Sequence, residues 1–164
     1  MKRLLLAFAF IFAILSCVKA QDYYKTGVGL RLGSGFGLTV KHFTTANTAL
    51  EGIVVFRWRG INITGLWEYE RRAFRTPGLS WYIGGGGHFG IWSNYDENAY
   101  WWDYEEHPNG YTIIGADFIL GLEYTVKEFP INFSVDWKPA LNLIGYPGVW
   151  LNVGALSIRY GFRY

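Results

Sequence analysis

Three histidines, His42, His88 and His107, and 13 acidic residues are the side chains of this 164-residue sequence with the means to act as bases or metal ligands. No HxxxH or HExxH spacing joins the histidines, which fall in separate segments, so no metal site is expected. Acyl transfer needs a nucleophile and a base within hydrogen-bond reach, and no His-x-Ser occurs. The run Gly84-Gly85-Gly86-Gly87-His88 fails as a phosphate loop, because no Gly-Lys-Ser/Thr follows it. Its plainer reading is a strand that coils strongly and leaves room for long side chains opposite. Catalytic residues, cofactors and metals are therefore not expected.

The charged residues are more informative. Arg31, Lys41, Glu51, Arg57, Glu68, Glu70, Asp117, Glu123, Asp136, Lys138, Arg159 and Arg163 are six of each sign, and each falls on the small or polar side of an alternating segment. Balanced charges confined together pair and hydrogen-bond, because an unpaired buried charge is costly. An ion pathway would instead show one dominant sign. A second group lies between Ser93 and Gly110, where Asp96, Glu97, Asp103, Glu105 and Glu106 are interleaved with Trp101, Trp102 and four further aromatics counted from Trp92. It lacks the spacing of a calcium loop. Trp101, Trp102, Asp103, Glu105 and Glu106 are the candidates for surface interaction; the plainer alternative is a solvated loop whose aromatics close the barrel mouth.

The elements that must carry these residues are strands. The sequence has 21 Gly and is 20% aromatic, where an ordinary domain has about 7% Gly. Aromatic content excludes disorder, and a single Cys excludes a disulfide scaffold. Eight alternating segments are predicted, at 24–33, 36–45, 49–58, 61–72, 79–92, 111–126, 131–143 and 149–164. Their connections are short except for the one after the fifth. One face is large and apolar, as in Tyr24, Val28, Leu30 and Leu32, or Ile131, Phe133, Val135 and Trp137. The other carries Gly and charge together. A soluble barrel would have to hold Trp58, Trp67, Trp81 and Trp137 inside, and eight strands leave too little room. Turned inside out, the aromatics face lipid. The expected fold is all-β, an eight-stranded antiparallel up-and-down transmembrane β-barrel. Pro139 is expected at a bulge or the rim, and the change of parity between Val149 and Leu156 predicts a bulge near Gly154-Ala155.

Residues 1–20 read as a cleaved signal peptide, with Lys2 and Arg3 before the apolar run Leu4–Leu15 and cleavage after Ala20. The rival is lipidation at Cys17, within Ile14-Leu15-Ser16-Cys17. Loss of Lys2, Arg3 and Lys19 takes 15 Lys and Arg to 12 against 13 Asp and Glu, so the barrel domain 21–164 carries −1. No basic patch points to nucleic acid. With even strand number both termini are periplasmic and 93–110 falls outside. Tyr24, Tyr69, Trp81, Tyr124 and Tyr160 then form the inner aromatic girdle.

The last segment, Leu156-x-Ile158-x-Tyr160-x-Phe162-x-Tyr164, ends on an aromatic with apolar residues at every second position. It resembles the C-terminal recognition signal of bacterial outer-membrane barrels. Gly121-Leu122-Glu123-Tyr124 followed by Asp136-Trp137-Lys138-Pro139 resembles a family of small outer-membrane barrels of OmpA/OmpX-type architecture. The resemblance implies export to the outer membrane of a Gram-negative bacterium. It also implies contact with outer-membrane lipid and lipopolysaccharide, and insertion by the barrel-assembly machinery through Tyr160, Phe162 and Tyr164. The functional expectation is a monomeric, non-enzymatic barrel with a side-chain-filled lumen and a structural or surface-interaction role. A lipid-modifying enzyme of deacylase or acyltransferase type, or a small channel, is the alternative.

Overall fold

The computed structural model describes residues 24–57, 60–74, 76–92, 110–126, 128–145, 147–151 and 154–162. The expected signal peptide with Cys17, the segment 93–109 with its candidate residues and His107, and Trp58, Arg163 and Tyr164 lie outside the described residues. The strands are β1 (Thr26–Leu32), β2 (Phe36–Phe43), β3 (Thr48–Arg57), β4 (Gly60–Arg72), β5 (Leu79–Trp92), β6 (Tyr111–Thr125), β7 (Ile131–Trp137), β8 (Ala140–Ile144), β9 (Gly148–Trp150) and β10 (Gly154–Phe162). Every pairing is antiparallel. The order β5-β4-β3-β2-β1-β10-β7-β6 closes on itself through β5–β6, with β8 and β9 extending the last two staves. The barrel therefore has eight staves, the seventh made of β7 and β8 and the eighth of β9 and β10.

The breaks fall where the sequence departs from regular alternation. Pro139 has no amide hydrogen for the ladder; its carbonyl keeps the seventh stave paired by accepting from Phe118 N at 3.0 Å. In the eighth stave Gly154 pairs with Trp137 whereas Trp150 pairs with Ala140. Three positions thus separate Trp150 from Gly154 where two separate Trp137 from Ala140, and parity changes across the interval, so that Val149 and Leu151 before it and Leu156 after it are all exposed. Gly154 and Ala155, where the bulge was expected, pair in regular register with Trp137 and Asp136.

Outward and inward faces follow the pleat. Leu30, Leu38, Ile63, Phe118, Phe133 and Ile158 are among the exposed apolar side chains, while Lys41, Glu51, Glu68, Glu123 and Arg159 are buried. Tyr24 departs from the expected outward girdle. It is buried, its ring meets Phe43 edge-to-face at 5.2 Å, and the inward-facing Gly27 and Gly161 leave the space it fills. A ring over two residues without side chains closes the lumen at the end that carries the start of β1 and the end of β10, here called the terminal end. At the opposite, loop end, Trp92 lies over Gly60 and Gly90 and stacks on Tyr111 at 5.4 Å.

The glycine run now has a geometric account. A Cβ at Gly84 would collide with Glu68 and the Trp67 carbonyl, and one at Gly86 would overlap the Gly65 carbonyl. Nothing lies within 4 Å of a Cβ at Gly52, which faces outward. Gly86→Val should therefore cost about 3 kcal/mol, whereas Gly52→Val should stay within about 1 kcal/mol. Urea unfolding of the detergent-solubilised barrel checks both.

Candidate functional site

The lumen holds the polar chemistry of the described residues. Nearest the terminal end, Lys41 on β2 reaches across to β4 and β6. Its Nζ lies 2.6 Å from Glu70 Oε2, 2.9 Å from Glu123 Oε2 and 3.0 Å from Glu68 Oε2. The same ammonium stands 4.2 Å from the centroid of the Tyr82 ring, close enough for a favourable cation–π contact. Ser80 Oγ donates to Glu70 Oε1 at 2.5 Å, and Tyr24 OH donates to Glu123 Oε1 at 2.7 Å.

Arg159 on β10 is the second hub. Its guanidinium pairs with Glu51, which also accepts from Thr39 Oγ1. Its Nη1 donates to Ser134 Oγ at 2.9 Å and Asn132 Oδ1 at 3.3 Å, and lies 3.5 Å from Glu123 Oε2. Its Nε donates to Thr39 Oγ1 at 3.3 Å. The planar fork with five donors suits this task in a way an ammonium would not. Around the two cations stand four carboxylates, so this cluster is not balanced locally, contrary to the even count in the sequence. Glu51 Oε2 and both Glu68 oxygens receive no hydrogen bond among the described residues.

Toward the loop end, Arg31 Nη1 and Nη2 grip Asp136 at 2.7 and 2.5 Å, a bidentate pair of the stronger kind. Tyr82 OH donates to the same carboxylate at 3.1 Å, joining this pair to the Lys41 cluster. Ile53, Leu66, Tyr82 and Ile119 form an apolar layer within the lumen. Farther along, Asp117 is shared by Lys138 and His88, whose Nδ1 lies 2.7 Å away, and His88 Nε2 meets Asn142 Oδ1 at 3.0 Å. Arg57 is only half-buried and lies over the Trp150 ring at 5.5 Å, apart from both clusters.

The structure thus brings Lys41, Glu51, Glu68, Glu70, Glu123 and Arg159 together, places Arg31 with Asp136 and Asp117 with Lys138, and leaves Arg57 at the rim. Tyr160 and Phe162 point outward and touch edge-to-face at 5.0 Å. His42 faces outward and bonds Thr26. No group of three or more His, Cys, Asp or Glu among the described residues is arranged to hold a metal. Sequence reasoning missed Tyr24, Tyr82 and the small polar partners Thr39, Ser80, Asn132, Ser134 and Asn142. For Tyr82 the signal was present, since it shares parity with Ser80, Gly84 and His88.

A closed antiparallel ladder of eight staves, apolar outside and tied across its lumen by ion pairs, is the OmpA-type barrel fold. The chain is similar to the crystal structure of the N-terminal β-barrel domain of Pseudomonas aeruginosa OprF, with a TM-score of 0.61 and 16% identity over 84% of this chain and 95% of that one. No family model matches the chain, and no curated protein matches it. At this identity the likeness is one of fold.

The two hubs differ in what their loss would leave. Arg159→Met strands buried Glu51 and should destabilise by about 3–5 kcal/mol. Glu68→Gln removes the carboxylate with the fewest donors and should change stability by less than about 1 kcal/mol, because Lys41 keeps Glu70 and Glu123. Unfolding midpoints of the two variants in urea test the asymmetry.

Proposed function

We propose that this protein is an integral outer-membrane barrel of a Gram-negative bacterium with a structural or surface-interaction role. The observation that supports it is the inversion of the usual distribution: charged residues fill the interior while large apolar side chains cover the outside of every stave. Soluble proteins rarely expose contiguous apolar area on this scale, whereas a lipid-facing band with a polar interior is what a membrane barrel requires. Among the described residues no helix is long and apolar enough to cross a membrane, so the crossing would be made by strands.

On this reading the terminal end is periplasmic and the connection 93–110 is extracellular. Residues 1–20 serve as the export signal, and Tyr160, Phe162 and Tyr164 serve the assembly machinery as an insertion signal. Trp101, Trp102, Asp103, Glu105 and Glu106 form the surface candidate, with aromatic area for stacking and acidic groups for cationic partners or bridging divalent ions. Lipopolysaccharide and outer-membrane lipid are the surroundings of a monomer. The lumen favours a closed barrel over a conductive one, because side chains tie opposite walls together. An acyl-transfer reading finds no support at His88, which spends both ring nitrogens on Asp117 and Asn142.

The protein should fractionate with the outer membrane and migrate differently in electrophoresis with and without boiling; recovery in the soluble periplasm would overturn the reading. Deleting 162–164 should reduce the inserted fraction several-fold at unchanged synthesis. Replacing Trp101 and Trp102 with Ala should leave the unfolding midpoint unchanged and reduce attachment to surfaces, whereas a mouth-closing role would lower the midpoint.

A further inference from the structure

The outward face of β1–β4 is apolar along most of its height and turns polar at the terminal end. There Thr26 and His42 stand opposite each other across β1–β2, with Oγ1 and Nδ1 2.8 Å apart. Thr48 and Tyr69 stand opposite each other across β3–β4. Arg71, two residues beyond Tyr69, lies 5.0 Å over the Tyr69 ring and donates from Nε to its hydroxyl. This end is also cationic: Lys25 is exposed and Arg71 and Arg72 are half-buried, with Glu128 as the exposed anion among the described residues of its turns.

Two aromatics project from neighbouring connections at this end. Phe74 is 87% exposed and Phe129 is 64% exposed. Phe74 has φ of 47°, the one positive value at a described residue other than glycine. A bulky side chain is unfavourable in left-handed backbone, and Phe74 adopts it while standing clear of the barrel. Cations, hydroxyl donors and exposed aromatic rings next to an apolar wall match one chemistry: a phosphodiester headgroup with acyl chains attached.

We propose that the terminal end of the barrel is a docking surface for anionic phospholipid of the adjacent leaflet. Lys25 just before β1 and Arg71 near the end of β4 lie three staves apart and each meet the phosphate of a separate lipid, and Phe74 enters among the glycerol backbones. The proposal rests on the membrane reading above and adds a headgroup preference to it. Charge complementarity favours lipid over a second copy of the chain, since two such cationic rims would repel.

The purified full chain is reconstituted in vesicles of phosphatidylcholine alone and of phosphatidylcholine mixed with phosphatidylglycerol. Heat-modifiable mobility in the first vesicles tests insertion without reference to headgroup; failure to insert in either would overturn the membrane reading and this proposal together. Lipid retained on the extracted barrel is then measured by mass spectrometry. Wild type should retain phosphatidylglycerol in preference to phosphatidylcholine. The double variant Lys25→Gln, Arg71→Gln should lose up to roughly thirtyfold of that preference, the order expected for two juxtamembrane cations. Phe74→Gly should keep heat-modifiable mobility, because glycine accepts the left-handed backbone, and should also retain less phosphatidylglycerol. Equal retention of the two lipids by an inserted wild type, or an unchanged preference in the double variant, would overturn the proposal and leave the membrane reading standing.

Discussion

Closing eight staves into a ring fixes the width of the space inside before any side chain is chosen. Alternate residues must fill that space, and their volume, polarity and reach are set by the wall opposite. The ties that result run across the barrel rather than along its sheet. Lys41 on β2 joins Glu123 on β6, Arg159 on β10 joins Glu51 on β3, and Arg31 on β1 joins Asp136 on β7. None of these pairs lies on adjacent strands. The ties span two to four staves of the ring and hold those parts of the wall at set distances, and a guanidinium or ammonium with several acceptors does so from more than one direction.

The aromatic rings inside are accommodated by the same rule in reverse. Tyr24 lies over Gly27 and Gly161, Tyr82 over Gly121, and Trp92 over Gly60 and Gly90. The glycines that weaken a strand in isolation are here the sites where the lumen accepts a ring. The glycine run does not follow this pattern: Gly85 and Gly87 face outward, and the two inward glycines accommodate other groups. The inward Gly84 gives its space to Glu68, and Gly86 lets β5 approach the backbone of β4.

The fold was legible in the sequence because its two faces differ in chemistry at every second residue. A slip of one residue would put Lys41 or Glu68 into the apolar exterior. The change of parity in the eighth stave was legible for the same reason, since Val149 and Leu156 have opposite parity and both are apolar, but its position was not, because Gly154 and Ala155 pair regularly. Tyr24 was misplaced because parity holds only within a strand: β1 begins at Thr26, and the chain turns into the lumen before it. The partnering of the charges was not legible. Parity tells which residues face inward but not their height or which wall they face, so Arg57 counted equally with Arg159 although it ends at the rim beside Trp150. The surplus of carboxylate around Lys41 emerges only once register stacks β3, β4 and β6 at one level.

The transverse ties also have a consequence in time. The partners of Arg159 lie far back in the chain: Glu51 is 108 residues away, Thr39 is 120 and Glu123 is 36. Arg159 belongs to the last stave to be synthesised. Until β10 docks between β1 and β7, Glu51 lacks its one ion-pair partner among the described residues, Glu123 lacks one of its two, and the sheet has two open edges. Long-range pairings of this kind are slow to form and are rewarded only on completion. Burying the carboxylates early would strand them, which is far costlier than leaving them in water. Closing the ring and pairing Glu51 with Arg159 are therefore one event, since both require β10 to sit between β1 and β7.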